Sequence, residues 1–380
     1  PSKMLRFCRV FMDRLEQLVV ESARAHGFLA AGFARARRLD NRADFYARWL
    51  SDGRPAEMEY LRHDPERRLD PRRIDARFRS VISLAYPYPA PPSAMALDWR
   101  RELRGRIAAY ATGPDYHRYV RKAARAVGES ICSARRGALT RVHVDTGAIF
   151  QREWAAAGRL GWFGRNTVLL NRDLGSYFFL AEILTDLEFD APAEPYRDLC
   201  GTCRRCLDRC PTGALAEGYL LEPRLCISYL TIEHRGAIPR ELRPRIGEWI
   251  FGCDICQQVC PWNADRPGPP SFEQWPSLAD LLAIDDAEFS RRFSQSAIKR
   301  ARRRGLLRNV AVVMGNSQNP DAIPHLAHTL EHEREPLVRS HAAWALGAIG
   351  GARARFALER ARKNDPNPQV IHETALALGD

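Results

Sequence analysis

Eight cysteines crowd into one short stretch of this chain and constrain its fold more than any other feature. The stretch covers 61 of the 380 residues. Its first run reads CGTCRRCLDRCP, with cysteines three, three and four residues apart, and its second reads CDICQQVCP. The thiols could form disulfides, hold a structural metal or carry electrons. The eight positions are Cys200, Cys203, Cys206, Cys210, Cys226, Cys253, Cys256 and Cys260.

The pattern of the two runs favours iron–sulfur clusters. Residues 1–20 lack the long apolar core and small-residue cleavage site of a secretory signal, so we expect a cytoplasmic protein, in which disulfides are disfavoured. Zinc stays open, since paired Cys-x-x-Cys sequences form tetrahedral thiolate sites. However, three cysteines in register followed by Cys-Pro repeat the bacterial ferredoxin run. We therefore predict two 4Fe-4S clusters.

The ferredoxin pattern divides the eight cysteines into two ligand sets, because the fourth cysteine of each run ligates the other cluster. The second run lacks one leading cysteine, which the isolated Cys226 can supply. Cys8 and Cys132 have no partners at this spacing and are expected to be ordinary packed or surface residues. The first cysteine set is Cys200, Cys203, Cys206 and Cys260. The second cysteine set is Cys210, Cys226, Cys253 and Cys256.

The 190 residues before the cysteines are predicted to form an α/β domain with a mixed sheet. Apolar residues recur at helical spacing from Phe11 to an end at Gly27. The β-rich segments SVISLAY, RIAAYA and RVHV alternate with helical stretches such as 115–131. The segments NTVLLN and SYFFLAEIL are predicted to pair as a hairpin across RDLGS.

Two features lie where these strands stop. Asp145 follows RVHV at the edge of the predicted sheet, where ligands commonly bind, although the pattern alone also fits a turn or a helix cap. The segment GRLGWFGRNT places Gly158, Gly161 and Gly164 around an aromatic pair. It fits neither nucleotide-binding glycine motif, but its glycines would let the backbone approach a large planar ligand. A plain loop is the alternative.

After Pro261 the chain changes to a repeat of 32 residues. The segments beginning at Ala311, Ala343 and Ala375 align, each ending in Gly, and Leu306, Val338 and Val370 keep the same register. Small and apolar residues at this period predict stacked helical pairs, a short solenoid of HEAT type.

A basic segment at 291–308 precedes this solenoid. It holds eight basic residues and no acidic one, in a chain with a net charge of +12. A solvated helix face would usually include acids, so we predict contacts with nucleic-acid phosphates. No run of about 18 apolar residues occurs, so no membrane span is expected. The predicted phosphate-contacting residues are Lys299, Arg300, Arg302, Arg303, Arg304 and Arg308.

Several motifs together resemble the epoxyqueuosine reductase family. They are the cysteine spacing, YATGPDYH at 110–117, VDTGAIFQREWAAAGRLGWFGRNT at 144–167, GSYFFLAEILTD at 175–186 and the terminal repeats. The resemblance extends from about Leu15 to the end of the chain. It implies a cobalamin-dependent iron–sulfur oxidoreductase that reduces the epoxide of epoxyqueuosine at the wobble position of tRNA.

The resemblance also implies roles for individual residues. Asp145 is the expected proton donor, and we expect burial to raise its pKa so that it can act as an acid. The family's cobalamin has no protein histidine on cobalt, and here Val120 stands where a D-x-H-x-x-G motif would need glycine. Gln151 and Arg165 replace a frequent glutamate and lysine. The expected cobalamin-binding residues are Met58, Tyr110, Asp145, Gly161, Trp162, Gly164, Asn166 and Thr167.

The predicted organisation is an α/β cobalamin- and substrate-binding domain at 1–190, a ferredoxin-like domain at 191–270, and the basic segment with HEAT-like repeats at 271–380. A reduced ferredoxin or flavodoxin is the expected electron donor, and a monomer is expected. Two other functions stay open. A reductive dehalogenase-like enzyme would need neither basic segment nor solenoid, and a simple electron carrier would not need the large α/β domain.

Overall fold

The computed structural model describes residues 14–91, 97–192, 194, 196–264 and 274–379. Cys8 and the predicted helix start at Phe11 lie outside these ranges. No described helix is long and apolar enough to cross a membrane. The described strands are β1 (Ala30–Arg35), β2 (Ser80–Pro87), β3 (Arg106–Ile107), β4 (Thr140–His143), β5 (Trp162–Phe163), β6 (Leu169–Leu170), β7 (Phe178–Thr185), β8 (Leu215–Ala216), β9 (Leu220–Leu221) and β10 (Trp249–Phe251).

The α-helices fall into three groups along the chain. Those around the main sheet are α1 (Arg14–Ala25), α2 (Asp40–Ser51), α3 (Pro65–Leu69), α4 (Tyr116–Ala134) and α5 (Gln151–Ala157). Those among the cysteines are α6 (Arg205–Asp208), α7 (Ile227–Ile232) and α8 (Ile255–Gln258). The remainder are α9 (Leu278–Leu282), α10 (Asp286–Arg292), α11 (Arg302–Ser317), α12 (Ile323–His332), α13 (Pro336–Ile349), α14 (Ala352–Asn364) and α15 (Pro368–Leu378).

The main sheet has four strands in the order β1-β2-β7-β4, all antiparallel, while β3 and β10 form a parallel pair elsewhere. Its central strands are apolar on both faces because helices cover both. Ile82 packs with α1 and α4 on one face, and Val81 packs with the elements around α5 on the other. The predicted helix end at Gly27 is confirmed, since its φ of +89° suits glycine. The predicted α/β domain is present.

The predicted hairpin between NTVLLN and SYFFLAEIL is wrong. β6 pairs with β5, whereas β7 lies between β2 and β4, and only an isolated bridge joins Asn171 to Gly175. The Asn171 side chain accepts hydrogen bonds from the backbone N–H groups of Asp173 and Leu174, which turns the chain before a longer ladder can form. β7 is buried on both faces, and so gains more from the sheet centre than from a two-stranded hairpin.

The C-terminal repeat is confirmed as a helical solenoid. Its aligned segments lie on α11, α13 and α15, and Leu306, Val338 and Val370 are fully buried. A Cβ atom at Gly315 would come within 2.9 Å of the Ala345 backbone, and one at Gly347 within 2.7 Å of Ala377. The repeated glycines therefore let successive helices pack closely. One buried core continues from Ile107 through the cysteine region into these helices.

Candidate functional site

The two cysteine runs fold into the same turn twice. In the first, the N–H groups of Leu207 and Cys210 donate to the carbonyl oxygens of Arg204 and Leu207, at 2.9 and 3.2 Å. Fifty residues later, Gln257 and Cys260 donate to Asp254 and Gln257 at 2.9 and 3.1 Å. A short helix and a Cys-Pro step follow the same path in both, as the ferredoxin pattern predicts.

Several thiols of each predicted set lie close enough to influence one another electrostatically, and their assignment to two clusters stays a prediction. The thiol of Cys260 has its pKa raised to about 11, by burial first and then by the nearby Cys200, Cys206 and Cys203. In the other set, burial raises the pKa values of Cys253 and Cys256 well above normal, and the neighbouring Cys226 adds to both shifts. Within the described ranges, no three His, Cys, Asp or Glu side chains converge as ligands of a single metal ion.

Asp145 lies in the loop after β4 and is held by two neighbours on α4. Its backbone is left-handed, with φ of +54°, which aspartate tolerates better than most residues. The hydroxyl of Tyr116 donates to its Oδ2 at 2.9 Å, and Nε2 of His117 lies 3.1 Å from the same oxygen. The other ring nitrogen of His117 lies 2.7 Å from Asp115, the N-cap of α4. Both nitrogens of this histidine are therefore engaged.

The expectation of a raised pKa for Asp145 is wrong for this arrangement. Burial raises the pKa of Asp145. The hydrogen bonds from His117 and Tyr116 and the charge of His117 lower this pKa by more than burial raises it, so the net shift is downward. Conversely, burial lowers the pKa of His117, yet its bonds to Asp145 and Asp115 raise it overall. The side chain of Asp145 is still 58% exposed, so the pair faces an open space. The two shifts favour a protonated His117 beside an ionised Asp145.

Gln151 links the Asp145 loop to strand β7 of the main sheet. Its Oε1 accepts the backbone N–H of Asp145 at 3.1 Å, while its Nε2 donates to the carboxyl group of Glu182 and, at 3.3 Å, to the carbonyl of Leu180. Glu182 is fully buried on β7, and burial raises its pKa well above normal. An amide at position 151 satisfies this protonated carboxyl without adding a second acid. Sequence reasoning left position 151 without a role.

An array of aromatic rings connects Asp145 with the second cysteine set. Tyr116 stacks on Phe179 with ring centroids 4.1 Å apart, Phe179 contacts Tyr88 at 4.6 Å, and Tyr88 meets Tyr177 edge-on at 5.8 Å. Cys256 contributes to the raised pKa values of both Tyr88 and Tyr177, so it lies nearby. The second cysteine set therefore lies on the Asp145 side of the chain.

Met58 and Tyr110, two of the predicted cobalamin-binding residues, lie at the junction between the sheet domain and the cysteine region. Met58 is half-buried against the core that the cysteine region shares with the solenoid. Tyr110 lies between Tyr116 and Phe251, with ring centroids about 6 Å from each. Tyr110 adjoins the aromatic array through Tyr116. Their contact with a corrin stays a prediction.

The predicted residues of the glycine-rich segment lie nearer the cysteines. Trp162 stacks on Tyr196 and packs with Cys260. Asn166 is buried and donates to the carbonyl of Cys256 at 3.3 Å. Gly161 and Gly164 pack closely on Leu170, and the Thr167 carbonyl accepts from Arg152. Their role at a corrin also stays a prediction.

Some cations of the basic segment are accessible to solvent, and others are paired with glutamates. Lys299 and Arg302 are exposed and Arg304 is partly exposed, while Arg300 pairs with Glu233 at 2.9 Å and also contributes to the pKa shift of Asp145. Arg303 is held by Glu333 at 2.6 Å, with its side chain only 13% exposed.

The prediction that Arg308 contacts tRNA is wrong. This residue is fully buried on α11, and its guanidinium donates to the backbone carbonyls of Leu230, His234 and Gly236. It ties the solenoid to the cysteine region. A sequence window shows the charge but not the direction of the side chain.

Asp145 lies in an open site, and aromatic rings connect this site to the cysteine region. This arrangement indicates an iron–sulfur redox enzyme. Family models support this class along the chain: a 4Fe-4S double cluster binding domain matches residues 199–263, an epoxyqueuosine reductase (QueG) model matches 68–146, and HEAT repeats match 295–379. The prediction of two 4Fe-4S clusters is confirmed at this level.

Relatives cover nearly the whole chain. An epoxyqueuosine reductase of Pseudomonas aeruginosa is 38% identical over 89% of this chain and 95% of its own length, and one of Xanthomonas campestris pv. campestris is 37% identical over 86% and 94%. A crystal structure of an epoxyqueuosine reductase with an epoxyqueuosine-modified tRNA stem loop has a TM-score of 0.90 at 29% identity, covering 96% of this chain and 98% of that one. The chain belongs to the epoxyqueuosine reductase family.

Proposed function

We propose that this chain reduces the epoxide of epoxyqueuosine in tRNA to the alkene of queuosine. The change consumes two electrons and two protons and releases water. The observation that carries the proposal is the connection of Asp145, through Tyr116 and Phe179, to the second cysteine set. A dehalogenase-like function would not use the basic segment, and a carrier function would not use the sheet domain.

The residues present fit the family's cofactors. Two sets of four thiols would suit two 4Fe-4S clusters, and both ring nitrogens of His117 are already engaged by Asp115 and Asp145. Cobalamin, when bound, supplies low-potential electrons to the substrate. Tyr110 and Tyr116 provide flat apolar surface between Asp145 and the cysteines.

The chain's own residues deliver the proton. As the epoxide oxygen gains negative charge, a positioned acid lowers the barrier. His117 Nε2 carries the proton 3.1 Å from Asp145 Oδ2, Asp115 orients the imidazole, and Tyr116 fixes the carboxylate. Asp145 relays this proton from His117 to the epoxide oxygen. Because the pKa of His117 is raised, this proton is present at and below its ordinary pKa of about 6.5 and is lost as pH rises through the raised value.

The substrate and the electron donor approach from different sides. Lys299, Arg302 and Arg304 bind phosphates of the anticodon arm, and the neighbouring Arg300 borders the Asp145 site. Electrons enter at the first cysteine set, whose loop is exposed. Arg205 and Arg209 beside it favour an acidic carrier such as a reduced ferredoxin or flavodoxin. We expect the chain to act in the cytoplasm as a monomer, with the cysteine region and the solenoid sharing one core.

Anaerobic incubation with epoxyqueuosine-containing tRNA, cobalamin and a reductant, followed by nucleoside mass spectrometry, tests the function. We expect conversion to queuosine, at a rate that falls as pH rises above the raised pKa of His117. The Asp145→Asn variant serves as the inactive control. Unchanged epoxyqueuosine in the presence of intact clusters and bound cobalamin would contradict the proposal.

A further inference from the structure

A separate cavity lies behind the loop that carries Asp145. Its volume is about 210 Å³, and it opens beside β4, the edge strand of the main sheet. Asp145 itself does not line it. We call it the arginine pocket, and its principal lining residues are Arg67, Arg121, Arg141, His143, Thr146 and Gly147.

The pocket concentrates positive charge. Three of its lining residues are arginines and none is an acid. Arg67 pairs with Asp64, an exposed residue that does not line the pocket, at 3.4 Å. Arg121 donates one bond to the Thr146 hydroxyl at 3.3 Å, and its buried Nε finds no hydrogen-bond partner among the described residues. Convergent guanidinium groups repel one another unless an anion lies between them.

His143 adds a neutral polar group to the same wall. Its pKa is lowered to about 4, by burial first and then by the charges of Arg141 and Arg121, so the ring is uncharged at neutral pH. Its Nε2 is buried, again with no hydrogen-bond partner in the described part of the chain. A buried polar atom left unpaired costs stability, and a ligand that accepts a hydrogen bond there would remove this cost.

We propose that the arginine pocket binds a phosphate group. The planar fork of arginine matches phosphate oxygens in a bidentate manner. The volume suits one small anion, because pockets for drug-sized ligands usually span about 300–1,000 Å³. The phosphate comes either from an RNA backbone or from free phosphate in solution.

Occupancy of the pocket would act on the Asp145 loop. Thr146 bonds Arg121, and a Cβ atom at Gly147 would come within 2.4 Å of the His143 ring, so this loop packs directly on the pocket wall. A phosphate that draws Arg121 and His143 together favours this loop position. By linkage, a ligand that needs the same loop position binds more tightly when phosphate is present.

Titration of the full-length, cluster-containing protein with inorganic phosphate at constant ionic strength tests the proposal by calorimetry. We expect saturable binding that the double variant Arg121→Gln/Arg141→Gln weakens about tenfold or more, because charged hydrogen bonds are removed. Arg125→Gln, an exposed arginine one turn further along α4, is the matched control and should bind normally. An Arg121→Lys/Arg141→Lys variant keeps the charges and should retain intermediate affinity.

No saturable binding, equal binding by the double Gln variant, or an equal loss in Arg125→Gln would overturn the proposal. Iron content and circular dichroism establish that the variants are folded. The measurement needs neither cobalamin nor turnover, so its result is independent of the proposed reaction.

A second titration with an anticodon stem-loop RNA identifies the source of the phosphate. If the RNA backbone occupies the pocket, free phosphate competes with RNA, and the salt slope of the double Gln variant falls by about one to two units. If free phosphate is the ligand, the variant binds RNA normally and phosphate does not compete. Either result keeps the pocket as a phosphate site.

Discussion

The eight cluster cysteines and the residues around Asp145 differ in how far apart they lie along the chain. The cysteines fall within 61 residues, and two copies of one local turn present most of them. Asp145 instead depends on Tyr116 and His117 from α4, on Gln151 from α5, and on Glu182 from a central strand. A ligand set that depends on local spacing can be predicted from the sequence. A site whose residues come from distant elements cannot be predicted in this way.

The two regions also differ electrostatically. Burial dominates at the thiols and raises the pKa values of Cys253 and Cys256, so cluster assembly must release protons. At Asp145, hydrogen bonds outweigh burial, and the carboxyl pKa falls while that of His117 rises. The cysteine region is thus shaped to hold inorganic clusters, and the Asp145 region to hold a mobile proton.

Removing one cysteine of the second set should have the largest effect. Cys226→Ala is expected to lower the iron content from about eight to about four per chain and to abolish turnover, because the second cluster is the one beside Asp145. Iron analysis and visible absorbance measure the loss. Cys132→Ala, half-buried outside both sets, should keep all iron. Stoichiometric zinc in anaerobically prepared protein would refute the cluster assignment.

Asp145→Asn should separate the two regions. The amide keeps the shape but cannot relay a proton from His117, so turnover should fall by about 10² to 10⁴ while both clusters and tRNA affinity are retained. Single-turnover kinetics with saturating reductant measure the change. Asp44→Asn, on the exposed side of α2, is the control and should behave as the parent. A nearly parental rate for Asp145→Asn would mean that another group supplies the proton.

Gln151→Leu should have a smaller effect, through the position of Asp145. The substitution leaves the Asp145 N–H and the buried Glu182 without their partner, so we expect a loss of about 1–3 kcal/mol in the free energy of unfolding and about tenfold in turnover. Denaturant unfolding and a rate–pH profile measure these effects. Gln151→Glu can still accept the Asp145 N–H and should lose less. Equal rates for Gln151→Leu and the parent would remove Gln151 from the site.

The accessible basic residues should contribute least per residue. Replacing Lys299, Arg302 and Arg304 with Gln should weaken tRNA binding and lower its salt slope by about one unit for each phosphate that is no longer bound, with little change on a free nucleoside. Arg353→Gln, exposed on α14, is the control. Arg308→Gln should instead lower the melting temperature, because three buried carbonyls lose their donor. Unchanged tRNA affinity across a salt series would mean that Lys299, Arg302 and Arg304 face solvent and do not contact phosphates.

The sequence by itself determined the features that depend on local spacing. The cysteine runs predicted two clusters, and the 32-residue period predicted the solenoid, because each repeat must place Leu306, Val338 or Val370 at the same buried position. The strand before Asp145 was also readable, since Val142 and Val144 alternate with the polar Arg141 and His143. In each case the pattern is visible in the spacing of residues along the chain.

Only the tertiary structure decided features that depend on distant neighbours. β7 pairs with β2 and β4 because both of its faces are then buried, and a hairpin with the adjacent segment would have left one face exposed. Arg308 points inward because its guanidinium donates hydrogen bonds to buried backbone carbonyls of the cysteine region. The pKa of Asp145 falls because α4 brings His117 and Tyr116 against it, and hydrogen bonds across the fold outweigh the burial that sequence reasoning anticipated.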